Sequence, residues 1–397
     1  MIKFDFATYV KPFIDENKYN ELYNKKDEYN LKLNSCEMTG WMRDIDNEVI
    51  LDVKETAKYI KTNFDCLVVI GIGGSFLGSY AFHNMFKKYF NDKSFEVIYA
   101  GTTLSSKYLD ELYEYLEDKN YCVNVISKTG KTMETKMIYN LLKDDLEKRY
   151  GSESVKDRII ITTSSDGNEL DSEPCLEKFD IPQNIEGRYS FLTAAHLLPL
   201  ATNFDIYEIV DGYYEGANLV DEAFNYAGIR YLLYKHGKVV ENYSIHEEHM
   251  LAFTEWLKQL FAETEGKEGK GILPMSTLYT RDLHSLGQFI QDGNKILFET
   301  FIRVRNNEIV NYKSLDINSI NNMVLDSVIK AHSKGNTNVL EITMDELSVK
   351  ELSTLIYFFM LSASFSGYLF GVNPFNHPGV DVYKEEVKNI LEEIITF

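Results

Sequence analysis

Short apolar runs alternate with longer amphipathic stretches through the first half of this chain. The runs fall at 67–72, 97–100, 123–126 and 159–163, a spacing that predicts βαβ units and a parallel sheet. A second set at 229–234, 272–274, 296–304 and 339–343 predicts another sheet, so the reading is α/β with two domains, 46–200 and 201–343. Residues 1–45, rich in Tyr, Asn, Lys and Asp, read as a helical lead-in. Residues 344–397 read as a helical arm broken by the Pro- and Gly-containing stretch 372–379. Between 245 and 262, Met250, Leu251, Phe253, Leu257, Leu260 and Phe261 recur at helical spacing, and Gly266 supplies the stop.

That helix carries an anomaly at its end. Glu263 and Glu265 sit in the last turn, where the macrodipole is negative and carboxylates are unfavourable. Gln259 lies four residues before Glu263 and therefore on the same face. A carboxylate backed by an amide at a helix end suits an active-site base, with a solvated acidic helix end as the alternative.

Composition narrows the field. In 397 residues, 44% are hydrophobic and 26% charged, the balance of an ordinary globular protein with two or three domains. Lys+Arg 41 against Asp+Glu 61 gives a charge of −20, which opposes binding to nucleic acid or anionic membrane. An anionic ligand therefore needs a locally prepared pocket. Cys36, Cys66, Cys122 and Cys175 form no CxxC pair and read as buried reduced thiols, and the N-terminus lacks a signal-peptide pattern. Both point to the cytoplasm. Residues 352–378 carry no Lys, Arg, Asp or Glu, but their serines and acidic flanks favour a buried core helix over a membrane span.

Two polar loops follow the first and third runs, at the carboxyl edge where open α/β sheets bind ligands. Gly71, Gly73 and Gly74 permit a tight turn and close approach to a ligand, with Ser75 offering a hydroxyl. A dinucleotide fingerprint would need glycine where Phe76 stands. Ser127, Lys128, Thr129, Lys131 and Thr132 form the second loop. Its Gly130-Lys131-Thr132 resembles the tail of a Walker A loop, but Val125 occupies the required glycine position. What remains in both loops is a set of hydroxyls and backbone amides suited to a phosphate monoester, against the alternative of plain turns. His246 and His249 lack the spacing and third ligand of a zinc site.

Taken together, GIGGSFLGS at 71–79, SKTGKTMET at 127–135, GRYSFLTAAHLLPLA at 187–201, QLFAETEGK at 259–267, DLHSLGQFIQDG at 282–293 and NPFNHPGVDVYK at 373–384 resemble the glucose-6-phosphate isomerase (phosphoglucose isomerase) family in its shorter bacterial form. The resemblance implies two sugar-isomerase (SIS) domains, a helical C-terminal arm, and a homodimer with active sites at the subunit boundary. It implies interconversion of glucose 6-phosphate and fructose 6-phosphate without cofactor or metal. Carried over by position, Gly74, Ser75, Ser127, Lys128, Thr129 and Thr132 belong to the phosphate side. Glu263 matches the base that moves a proton between C2 and C1. His284 matches the histidine that assists ring opening, with Lys384 near the ring oxygen. Gly187 and Arg188 stand beside the substrate, where a guanidinium stabilises the enediolate without competing for its proton. Gln259 is the substrate-side amide.

Lys131 stands where the family commonly has threonine, Glu186 replaces a glycine, His377 replaces a substrate-contacting glutamine, and 331–335 departs from the usual AHTDG. A non-catalytic sugar-phosphate sensor is the competing class, since SIS domains also serve regulators, but it has no use for Glu263, Arg188, His284 and Lys384 together. A dual glucose and mannose 6-phosphate isomerase is a further alternative.

Overall fold

The computed structural model describes residues 1–10 and 14–395. Strand β1 (Ile2–Asp5) is followed by helices α1 (Glu16–Tyr23), α2 (Lys26–Asn34) and α3 (Asn47–Asn63). Asp46 caps α3 through the Glu48 amide, and Ile50, Val53, Ala57 and Ile60 bury one face of it, the i, i+3, i+4 stripe of a core-facing helix. The first sheet then builds in sequence: β2 (Cys66–Ile70), α4 (Leu77–Phe86), β3 (Glu96–Ala100), α5 (Ser106–Leu116), β4 (Tyr121–Ile126), α6 (Met133–Tyr150), β5 (Ile159–Thr163) and β6 (Glu177–Asp180). All its pairings are parallel, in the order β3-β2-β4-β5-β6. The chain leaves β2 toward one side and returns with β4 on the other, so a crevice opens at the carboxyl ends of those two strands. The two polar loops flank it.

The second half continues with α7 (Ala194–Ala201), α8 (Ile206–Glu215), α9 (Val220–Lys235), β7 (Val240–Ile245), α10 (Leu251–Glu265), β8 (Leu273–Leu278), α11 (Gly287–Asp292) and β9 (Leu297–Val304). A short hairpin of β10 (Asn311–Tyr312) and β11 (Leu315–Asp316) leads to α12 (Ile317–Lys334), β12 (Asn338–Met344), α13 (Val349–Leu369) and α14 (Pro378–Ile395). The second sheet runs β1-β12-β9-β7-β8, parallel except for the N-terminal edge strand β1. The α/β class with helix-flanked parallel sheets is the one expected.

Several expected elements are corrected. The run 229–234 is not a strand but the end of α9. It is apolar because that helix is covered by α13, and a short apolar run does not distinguish a buried helix from a buried strand. The strand that takes its place, β7, lacks an apolar signature because Glu241, Asn242 and Ser244 lie in it fully buried. The helix expected from 245 begins at Leu251, after a 3-10 turn at Glu248–Met250, since Ile245 closes β7. In the described part of the lead-in, α1, α2 and a 3-10 turn at Gly40–Met42 are helical, turns and irregular backbone make up much of the rest, and β1 joins the second sheet. Of the four cysteines expected to be buried, Cys36 and Cys175 are only half-buried. The arm expected over 344–397 divides: β12 ends at Met344, and α13 is buried from Leu352 to Leu369, leaving α14 as the exposed part. Residues 11–13 of the lead-in and 396–397 of the arm lie outside the described residues. By length and composition α13 could cross a membrane, and its apolar window is wholly buried.

Candidate active site

A cavity of about 1020 Å³ opens where the crevice of the first sheet meets the end of α10 and the start of α14. Gly74, Ser75, Lys128, Thr129, Thr132, Gly187, Arg188, Gln259, Glu263, His377 and Lys384 all line it. Residues as far apart in the chain as Gly74 and Lys384 are thus gathered around one cavity.

Glu263, in the last turn of α10, lines the cavity. Its Oε1 accepts from Gln259 Nε2 at 3.1 Å, the contact expected one turn back along α10. Its Oε2 accepts from Arg188 Nη1 at 3.3 Å. Arg188 is 2% exposed and is held from three further sides. Its Nε donates to Thr264 Oγ1 at 3.0 Å, and its Nη2 donates to the carbonyls of Pro374 and of Asn376, the latter at 3.2 Å. A guanidinium with its donors fixed in this way presents charge without reorganising.

Glu265 points the other way. Two residues on a helix are about 200° apart, so Glu263 faces the cavity while Glu265 enters the core and pairs with Arg230 Nη1 at 2.6 Å. The two carboxylates that oppose the helix dipole each meet a buried guanidinium. Only Glu263 lines the cavity, with its side chain 29% exposed, while Glu265 is wholly buried, so a solvated helix end does not describe Glu265.

The Gly- and hydroxyl-bearing loops at the cavity are built tightly. Gly74 packs backbone to backbone on the 3-10 turn Gly187–Tyr189: a Cβ added to it would lie 2.2 Å from the carbonyl carbon of Gly187. His196, 2% exposed, fixes the same loop. Its Nδ1 accepts the Ser79 amide at 3.1 Å, so the proton sits on Nε2, which donates to Gly74 O at 2.8 Å. Burial pushes this histidine down to about 4, consistent with a neutral ring. Gly74→Ala is expected to force the two loops apart, raising KM for a phosphorylated sugar by about tenfold or more and costing about 1–3 kcal/mol by overpacking. Steady-state kinetics and urea unfolding check both.

In the second loop, Ser127 is buried and does not line the cavity; its Oγ bonds to Thr132 Oγ1 at 3.4 Å. Thr129 Oγ1 accepts the Lys131 amide at 3.3 Å. The Lys128 ammonium is turned onto the carbonyls of Gln183 and Ile185, each at 2.9 Å, and burial lowers its pKa, offset by Glu186. Lys131 and Lys384 add positive charge to the cavity wall. A chain of net charge −20 has therefore concentrated cations where an anion could be received.

His284 is not brought here. It ends a 3-10 turn, Arg281–His284, is exposed, and lies outside the cavity of its own chain. His246 and His249 are also spent elsewhere, on Val304 O at 3.1 Å and on the Tyr89 ring.

Residues 30–293 match the family described as phosphoglucose isomerase. A glucose-6-phosphate isomerase of Mycoplasmopsis pulmonis is 38% identical over 96% of this chain and 97% of its own length. Another, from Streptococcus mutans, is 37% identical over 98% of this chain and 96% of its own. The chain belongs to the phosphoglucose isomerase family. Its fold is also that of a glucose-6-phosphate isomerase crystal structure from Chlamydia trachomatis, with a TM-score of 0.86 at 19% identity, covering 100% of this chain and 89% of that one. A hypothetical protein from Thermus thermophilus shares it at a TM-score of 0.84 and 22% identity, covering 98% of this chain and 100% of that one.

Against the phosphoglucose isomerase pattern, two departures meet in space. Glu186 and His377 both line the cavity, with Glu186 Oε2 3.8 Å from His377 Nδ1. Tyr383 and Val380 of α14 join the lining. No sequence signal singled out those two, because a helix that covers a pocket looks like any amphipathic helix.

Proposed function

We propose that the chain interconverts D-glucose 6-phosphate and D-fructose 6-phosphate through a cis-enediol, in the cytoplasm, as a step of glycolysis and gluconeogenesis. The observation that carries this is Glu263 held between the Gln259 amide and the Arg188 guanidinium, in a cavity that also opens onto both phosphate-type loops. Family membership agrees with it.

In this reading the phosphate monoester is received by Ser75, Thr129 and Thr132 and nearby backbone amides, with Ser127 supporting Thr132. Binding energy from that distant group fixes the reacting carbons against Glu263. Lys384 acts near the ring oxygen, and a histidine completes ring opening. Glu263 then takes the proton from C2 and returns it to C1, while Arg188 stabilises negative charge on the enediolate oxygen. Gln259 keeps Glu263 oriented through Nε2 and offers its Oε1 to a sugar hydroxyl. His284 is exposed outside its own cavity, which supports a homodimer in which each copy lends this histidine to the other. The two sheets correspond in this scheme to SIS domains at 46–200 and 201–343.

The purified protein given fructose 6-phosphate should form glucose 6-phosphate, followed through a coupled dehydrogenase. Binding without turnover would replace the enzyme with a sensor. Lys131→Thr and His377→Gln are expected to shift KM by about threefold to tenfold while leaving turnover, since each changes a polar side chain on the cavity lining. Wild-type KM in both would show that these departures are neutral.

A further inference from the structure

Lys267 follows Gly266, the C-cap of α10. A lysine there ordinarily reaches the last helical carbonyls or solvent. Instead its ammonium donates to the carbonyl of Asn373, 106 residues along the chain. That carbonyl begins the turn whose next members, Pro374 O and Asn376 O, accept from Arg188 Nη2. The turn is closed internally by the Phe375 amide on Asn373 Oδ1 at 2.9 Å, and Phe375 rests on Tyr189, with ring centroids 5.3 Å apart. Lys267 itself does not line the cavity.

We propose that Lys267 is a positioning residue for Arg188: by clamping Asn373 it fixes the turn whose carbonyls aim the guanidinium at Glu263. This rests on the isomerase reading given above. Its chemical consequence is a rate that depends on a lysine outside the cavity. The same turn leads into α14, so the clamp also roots the helix that carries Lys384.

Half-burial and then Arg188 lower Lys267 to about 8, with Glu263, Glu186 and Glu268 opposing the shift. Of these groups Arg188, Glu263 and Glu186 line the cavity, and Glu186 lies 3.8 Å from His377 Nδ1 on the clamped segment. As pH rises through about 8 the ammonium becomes a neutral amine, a weaker donor to a carbonyl. The clamp loosens on the alkaline side.

The test is kcat and KM for fructose 6-phosphate from pH 6 to 9.5 in the parent, Lys267→Met and Lys267→Arg, with urea midpoints measured alongside. Lys267→Met should lower kcat by about tenfold to a hundredfold at neutral pH with KM changed by less than about threefold. Its residual kcat should lack the parent's fall through pH 8. Lys267→Arg, charged throughout, should restore most of kcat and move that fall upward. Parental kcat in the methionine variant, or an unmoved alkaline fall in the arginine variant, overturns the proposal while the isomerase reading stands. A parent without turnover overturns that reading and this inference with it.

Discussion

Glu263→Gln should lower kcat by about a hundredfold to ten-thousandfold, the usual contribution of a positioned general base, with a much smaller change in KM. An amide of the same shape keeps the contact with Gln259 and fills the same space, but it cannot accept a C–H proton. It also ends the ion pair with Arg188, now 3.3 Å away, leaving a buried guanidinium without its carboxylate. Because the Glu263 side chain is 29% exposed, water reaches the site and the fold should tolerate the change, so the urea midpoint is a control for structural collapse. Glu263→Asp separates position from charge: the carboxylate is retained but withdrawn by one methylene, and an intermediate loss is expected. More than about a tenth of parental kcat in Glu263→Gln, beyond the range a base would leave, would take the proton-transfer role away from this residue.

What the sequence exposed and what it hid divide along physical lines. The first sheet was legible because β2, β4 and β5 are buried on both faces and read as continuous apolar runs ending in Gly- and Ser-rich loops. The second sheet was half hidden. Its strand β7, between β9 and β8, pairs buried polar groups internally: Asn242 and Ser244 bond to Glu299, and Glu241 to Arg230, Tyr226 and Thr300. Hydropathy cannot see a strand whose polar residues are paired across the fold, and the apolar tail of α9 took its place. At the site, Gln259 and Glu263 were readable from helical spacing alone. Arg188 was not, since nothing local brings it from a turn after β6 to the end of α10. Motif resemblance bridged that gap. Lys267 gives no local signal, because its partner, the Asn373 carbonyl, lies in a turn that the sequence does not link to it.

Arg230→Met should be the most destabilising of these changes, lowering unfolding free energy by about 3–5 kcal/mol out of the roughly 5–15 kcal/mol typical of native proteins. Arg230, Glu241 and Glu265 are all 0% exposed, and the guanidinium bridges the two carboxylates through Nε at 2.7 Å and Nη1 at 2.6 Å. Tyr226, Tyr243 and Thr300 satisfy Glu241 further, but among the described residues Arg230 is the one cation paired with these carboxylates. Methionine fills the space and removes the charge that makes their ionisation tolerable. Burial already raises Glu265, with Arg230 opposing that rise, so loss of Arg230 must raise it further. A carboxyl whose folded pKa lies above its unfolded value takes up a proton on folding. Its stability contribution is present at low pH and is lost as pH rises through the folded pKa, so the deficit of Arg230→Met should shrink between pH 7 and pH 5. Adding Glu241→Gln and Glu265→Gln to Arg230→Met removes the uncompensated charges and should recover much of the loss. Urea unfolding of the single and triple variants at both pH values decides it. An equal deficit at pH 5 and pH 7, with no recovery in the triple variant, would mean that Arg230 acts through packing, and that the second acidic residue at the end of α10 is held by shape and not by charge.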